Sequence, residues 1–445
     1  MPPVTTTLHY LEHEVAIAAD PLATIAALAS SRLHDDYVVY EGDGDWSYAG
    51  GVLAEVRLDR SGTRVRMPGK PLKETVLPWD GAPLRQVQSL LSGLPIADWR
   101  AYGWAAFELA YAKGGDLTAI GDQRLLHLIV PETEVRIANG SARVRSTDRE
   151  TLERTAAVLS EVPAAARASS GAVNVRQSGA EEYQHAVALA VGEINGRKLQ
   201  KVILSRIFLL GHDIDFVGTY IAGRRGNTPA RSFLVRLDGV EVAGFSPEIV
   251  VSVNRDGRVV SQPLAGTRAL TADPERNQQL RSELLTDAKE VFEHAISVRT
   301  SLDELEAVCR PGSMTVEEFM AVRERGSVQH LASRVAGLLA DGRDAWDAFC
   351  AVFPAVTASG IPKDAAYASI RSHETAARGL YSGAVLKVDQ DGSMDAALIL
   401  RAVYRQEGAT WLQAGAGIVG QSRPVREFEE TCEKLDSVSR YLVTA

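Results

Sequence analysis

The sequence predicts an α+β protein built on large antiparallel β-sheets, and three observations carry that prediction. Strand-like and helical stretches come in segregated blocks rather than in strict βαβ alternation. Turn dipeptides of the kind that close hairpins, Asn139-Gly140, Asp238-Gly239, Asp256-Gly257 and Asp391-Gly392, sit between the apolar runs. The helical periodicity is concentrated in a block from about Pro274 to Ala348 and in a last stretch after Pro424.

Taken in order, Tyr37-Val38-Val39-Tyr40, Val52 to Leu58 and Thr63 to Met67 alternate with Gly- and Asp-rich turns, as antiparallel strands do. Gly103 to Glu108 and Leu125 to Val130 continue the sheet, and Asn139-Gly140 predicts a hairpin between Val135-Arg136-Ile137 and Ala142-Arg143-Val144. Thr151 to Leu159 reads as helix. Pro163 to Gly171 reads as a connection, dividing a β-rich part, 1–172, from a region 173–445 that carries the chemistry. A helix follows, with Ser178-x-x-Glu181 as a capping box, an apolar stripe of Tyr183, Val187, Val191 and Ile194, and Gly196 as its stop. Lys201 then opens a strand, Lys201 to Arg206, and further hairpins run to Gln262 through Arg268. Pro274 to Val308 is predicted helical, with more helices to Ala348, before strands resume at Ser382 and end near Ile418.

Composition narrows the function. At 445 residues the chain exceeds one ordinary core, so one large or two closely packed domains are expected. A net charge of −9 without a basic run excludes a general nucleic-acid binder. Cys309, Cys350 and Cys432 are too scattered for a disulfide framework or a zinc site. Met1 to Thr7 lacks the blocks of a secretory signal, and no apolar run reaches the ~20 residues of a membrane span. A soluble, cytoplasmic protein is expected.

Two stretches bear clustered carboxylates. In Asp287 to Arg299, Glu290, Glu293 and His294 share one helical face, with Val291, Ala295, Val298 and Leu302 as an apolar stripe on another. In Pro424 to Lys434, Glu427, Glu430 and Lys434 share a face opposite Phe428 and Cys432. Taken singly, each Glu-x-x-Glu reads as a solvated charged face. Taken together, oxygen ligands from two facing helices suit a hard divalent cation such as Mg²⁺, which leaves room for water and an anionic substrate. Lys201 beside apolar strand residues reads as an edge or snorkelling lysine. Glu248 lies on a Ser-Pro turn. Gly266 and Thr267 form a turn whose N–H groups suit an anion, and Gly415-Ala416-Gly417 suits a close backbone approach.

Six motifs occur in a telling order: Lys201-Val-Ile-Leu-Ser-Arg206, Gly244-x-Ser-Pro-Glu248, Pro263-Leu-Ala-Gly-Thr-Arg268, Lys289-Glu-x-x-Glu-His294, Gly379-Leu-Tyr-Ser-Gly383 and Glu427-x-x-Glu430-x-x-x-Lys434. In this the chain resembles the chorismate-utilising enzymes, which include anthranilate, aminodeoxychorismate, isochorismate and salicylate synthases. The likeness covers about residues 178–445 and is looser before that, resting on Gly103-Trp104-x-x-Phe107-Glu108. It implies two antiparallel sheets packed together, helices outside, and a site in the cleft between the halves. Ala265 stands where aminodeoxychorismate synthases carry a nucleophilic lysine, and Lys201 where anthranilate synthases carry glutamine. A lysine there marks the enzymes that add water. Val322 to Leu331, Phe353 to Lys363 and Glu427 to Leu435 resemble the salicylate synthases of siderophore pathways, and Thr357 replaces a smaller residue of isochorismate synthases that stop at the first product.

The resemblance therefore implies conversion of chorismate through isochorismate to salicylate and pyruvate. Isochorismate synthase is the alternative, and anthranilate synthase component I a more distant one. A monomer without a glutamine amidotransferase subunit is expected. The implied roles are specific. Mg²⁺ on Glu293 and Glu430, with Glu290 and Glu427 close by through water, would take the ring carboxylate. Gly266, Thr267, Gly415, Gly417 and Lys434 would complete that clamp, and Tyr381 and Arg401 would hold the enolpyruvyl carboxylate. Lys201 would be the general base for water and Glu248 the general acid for the departing hydroxyl, which requires a neutral amine and a protonated carboxyl. His330 and Thr357 would shape the pyruvate-releasing step.

Overall fold

The computed structural model describes residues 7–67, 73–162, 171 and 173–445. Its architecture is two sheets, one of eleven and one of twelve strands, with antiparallel pairing. Alternate side chains of the two sheets meet face to face in one buried apolar cluster: Val38, Tyr40, Phe233 and Tyr404 from the first, Tyr102, Trp104 and Val385 from the second. Helices cover the outer faces, where a second apolar cluster lies. Both sheets mix early and late strands. Tyr37–Gly42 pairs with Arg231–Leu237, and Arg100–Ala105 pairs with Ala384–Asp389. The expected connection from Pro163 to Ser170, and Met1 to Thr6, lie outside the described residues.

The turn signals form as expected. Asn139 and Gly140 both adopt positive φ, 50° and 77°, closing the Thr133–Ala138 and Ser141–Ser146 hairpin in the geometry that matches strand twist. Three expectations are corrected. The helix Ala180–Asn195 starts from Gly179 at φ 77° with no side-chain cap, so Ser178 and Glu181 form no capping box. The helical block breaks at Asp287, whose carboxylate caps the N–H groups of Lys289 and Glu290, giving Pro274–Thr286 and Ala288–Glu306. Beyond it, Thr315–Arg325 and Val328–Leu338 are not helices but a long hairpin turning at Gly326, φ 65°. The second of these strands is buried on both sides for most of its length, so it lacks the two-residue alternation that marks a strand in sequence.

The charged helices turn their acidic faces inward. In Ala288–Glu306 the buried residues include Glu290, Glu293, His294 and Ser297, while Val291 and Ala295 are only partly covered. In Pro424–Ser439, Glu427 and Glu430 are buried together with Phe428 and Cys432. Both readings of a solvated face are overturned. No helix among the described residues is long and apolar enough to cross a membrane.

Candidate active site

The cavity at the centre is built from strand ends and one helix from each acidic stretch. Leu264–Ala269 bulges at Gly266, where φ is 82°, and pairs with Val328–Leu338 so that Thr267 faces His330. Lys201–Leu209 pairs with Ala409–Ile418, setting Ile203 opposite Gly417 and Ser205 opposite Gly415. Glu248, Gly266, Thr267, Glu293, His330, Thr357, Tyr381, Arg401, Gly415, Gly417, Glu430 and Lys434 all line this one cavity, with apolar walls from Ile203, Leu264 and Leu400. Glu290 and Glu427 line an adjoining depression instead. Lys201 stands behind the cavity wall. The edge-lysine expectation fails there, because the side chain is fully buried, its Nζ 2.9 Å from Glu293 Oε1 and donating to Ser297 Oγ at 3.0 Å.

Glu248 is 3% exposed, and burial pushes its carboxyl up to about 8; the Thr357 hydroxyl, the Leu264 N–H and the Lys201 charge pull the other way without cancelling it. At neutral pH it is a protonated acid facing the cavity. His330 is neutral, because burial and then Arg401 and Lys434 hold it well below the usual imidazole range. Its Nδ1 lies 3.2 Å from the Gly266 carbonyl, which only accepts, so Nδ1 carries the proton and Nε2 accepts from Arg401 at 3.2 Å. Arg401 is buried, holds φ 53°, and keeps Nη1 without a partner. A buried guanidinium with a spare N–H is a built donor for a carboxylate. Tyr381 lies beside it, its hydroxyl near the Gly415 backbone.

The two acidic helices converge. Burial raises the Glu290 carboxyl, with Glu430 and Glu293 adding to it; burial and Glu430 likewise raise Glu427. Glu430 is held low, since Lys434 and Lys289 outweigh its burial. The four carboxylates therefore feel one another, and each rests on a cation: Glu290 on Arg268 at 2.9 Å, Glu293 on Lys201 at 2.9 Å, Glu427 on Lys289 at 2.7 Å and Glu430 on Lys434 at 2.7 Å. Lys289 lies among all four, and they hold its ammonium charged against burial.

In this arrangement no three His, Cys, Asp or Glu side chains among the described residues are gathered into a ready ligand set. The donors nevertheless fit a hard divalent ion in kind and charge. All are carboxylate oxygens, and Glu427 Oε2 is buried without a partner. An ion there would take over the role now filled by the ammonium groups.

The glycines serve the glutamates as much as any substrate. A Cβ on Gly417 would lie 2.2 Å from Glu293 Oε1, and the Thr267 N–H donates to Glu290 Oε2 at 3.0 Å rather than facing the cavity free. Lys434 also donates to the Gly415 carbonyl at 2.8 Å. Sequence reasoning missed Lys289, Arg268 and Ser297 as partners of this set. Lys289 was visible inside its motif, but nothing in its spacing tells a surface lysine from a central one.

Comparison with known proteins places this site in context. The family described as chorismate binding enzyme matches residues 41–440. The salicylate synthase of Mycolicibacterium paratuberculosis is 42% identical over 427 residues, covering 96% of this chain and 94% of that protein. An anthranilate synthase component 1 of Haloarcula marismortui is 39% identical over 262 residues, 58% of this chain and 49% of that protein. The menaquinone-specific isochorismate synthase of Escherichia coli superposes with a TM-score of 0.74 at 21% identity, over 98% of this chain and 95% of that one, which shows a shared fold.

Proposed function

We propose that this chain, which belongs to the chorismate-binding enzyme family, is a salicylate synthase that converts chorismate through isochorismate to salicylate and pyruvate. The observation that carries the reading is Glu248: a cavity-facing carboxyl held protonated to about pH 8 by burial, in a cavity also lined by a guanidinium with an unused N–H. That is a proton donor and an anion clamp around one small cavity.

Arg401, oriented by His330, and Tyr381 hold the enolpyruvyl carboxylate. Lys434 and the backbone around Gly266 and Gly417 face the ring carboxylate. Glu293 and Glu430 would hold Mg²⁺, with Glu290 and Glu427 behind them, and when bound the ion cancels the charge of the ring carboxylate. In the first step a water adds to ring C2 as the double bonds shift and the C4 hydroxyl departs as water. Lys201 is the base assigned to the attacking water, a role that requires the amine to leave its ion pair with Glu293 and give up its proton first, and Glu248 gives its proton to the leaving hydroxyl. Ala265 in the neighbouring turn leaves the ring without a competing nucleophile. In the second step the C–O bond to the enolpyruvyl group breaks while the C2 hydrogen moves to its methylene carbon, giving pyruvate and the aromatic ring. That transfer is internal to the ligand and asks the walls only for geometry. Thr357 and His330 supply it.

Incubation of the protein with isochorismate tests the lyase half: salicylate and pyruvate in equal amounts are expected. Unchanged isochorismate would leave an isochorismate synthase.

A further inference from the structure

A buried arginine outside the cavity ties together two of the segments that face the acid, the turn of Thr357 and the strand of Lys201. Arg378 is 2% exposed. Its Nη1 donates to the Ala358 carbonyl at 2.8 Å and its Nη2 to the Ile203 carbonyl at 2.7 Å. Its Nε donates to Glu374 Oε2 at 2.9 Å, and Glu374 in turn accepts from the Ser205 N–H at 2.7 Å. The guanidinium lies over the Phe107 ring, 4.6 Å from its centroid. The other end is fixed from the early part of the chain. Glu108, also buried, accepts the Arg378 N–H at 2.7 Å and the Gly379 N–H at 3.1 Å.

Ala358 follows Thr357 in a three-residue turn, and Thr357 donates to Glu248. Ile203 lies two residues after Lys201 and lines the cavity. Tyr381 is three residues on from Arg378, its N–H donating to the Arg378 carbonyl at 3.1 Å. One guanidinium thus fastens the turn behind the acid to the strand of the base. Burying a guanidinium costs stability, which the two carbonyls and the Glu374 carboxylate that accept from it offset.

We infer that Arg378 is a positioning residue for acid catalysis, which through the Ala358 carbonyl holds the Thr357 hydroxyl on Glu248. The inference rests on the salicylate-synthase reading for its kinetic consequence. Three groups face Glu248: Lys201, Thr357 and the Leu264 N–H, and all three favour its ionised form. Loosening the Thr357 bond removes one of them, so the carboxyl titrates higher.

The test is Arg378→Lys, which keeps the charge and loses the fork, compared with the unaltered protein and with Thr357→Val. With chorismate, kcat is expected to fall roughly 10–100-fold with KM within about twofold, as a misplaced reacting group predicts. The alkaline limb of kcat/KM moves upward from about 8, in the same direction as for Thr357→Val. The Glu248 carboxyl band in infrared difference spectra, assigned by its loss in Glu248→Gln, moves to higher pH in parallel. Unchanged titration of that band in a folded Arg378→Lys protein overturns the inference, whatever happens to kcat. Should the unaltered protein leave chorismate untouched, the functional reading falls while the infrared comparison still decides the positioning role. If Arg378→Lys does not fold, Glu374→Gln loosens the same fork, and the same upward shift is required of it.

Discussion

At the scale of single residues, the proposed acid and the proposed base have different fates in the structure. Glu248 was legible: its place in the Gly-x-Ser-Pro-Glu motif marked it, and burial supplies the raised pKa its role needs. A general acid must be protonated to work, so the alkaline limb of kcat/KM should fall above about pH 8 as Glu248 ionises. Measuring kcat/KM between pH 6 and pH 10 checks this, and Glu248→Gln should cost roughly 10²–10⁴-fold with the alkaline limb abolished. Lys201 was legible as a residue but not in its surroundings. A strand-opening lysine carries no sequence mark of its partner, and the ion pair to Glu293 exists only because two distant elements pack together. Lys201→Ala should abolish ring hydroxylation. It should also lower the melting temperature of the metal-free protein, since a buried Glu293 is left without its counter-charge. An unchanged melting temperature would mean that Glu293 finds water or another cation.

At the scale of elements, the two acidic helices show why patterns of charge mislead. Helical spacing placed Glu290 with Glu293 and Glu427 with Glu430, and that much stands. Which face turns inward depends on what the neighbouring elements offer. Here Lys201, Arg268, Lys289 and Lys434 make the acidic faces the buried ones. The second strand of the hairpin over 315–338 escaped prediction because burial on both faces erases the period-two signal, and the first is mostly exposed and breaks register twice against its partner. Two expectations belong to this scale. Adding Mg²⁺ should raise the melting temperature of the intact protein and chelation should lower it again, because an ion bound only by the folded state stabilises it by mass action. Glu430→Gln should remove that shift. Gly417→Ala should cost most of the activity with a smaller loss of stability, as the new methyl would lie 2.2 Å from Glu293 Oε1 and force that carboxylate aside. A Gly417→Ala enzyme with full turnover would show that the position of Glu293 does not matter.

At the scale of the whole molecule, the sequence announced two antiparallel sheets but not how the halves share them. Local turn chemistry fixes hairpins such as the one at Asn139-Gly140. Pairings such as Tyr37–Gly42 with Arg231–Leu237 span almost two hundred residues and leave no local mark. Since both sheets are completed only by strands from both parts, residues 173–445 expressed alone should show no cooperative melting. Co-expression with residues 1–162 should restore it. The whole assembly, by this account, exists to bring a protonated carboxyl and an arginine clamp around one dianion, with Lys201 behind the wall between them and the acidic helices. The most direct measurement of that claim is incubation of the intact protein with chorismate and Mg²⁺, followed by chromatographic product analysis. Salicylate and pyruvate in equal amounts are the predicted result; anthranilate formed with ammonia, or chorismate returned unchanged, would contradict it.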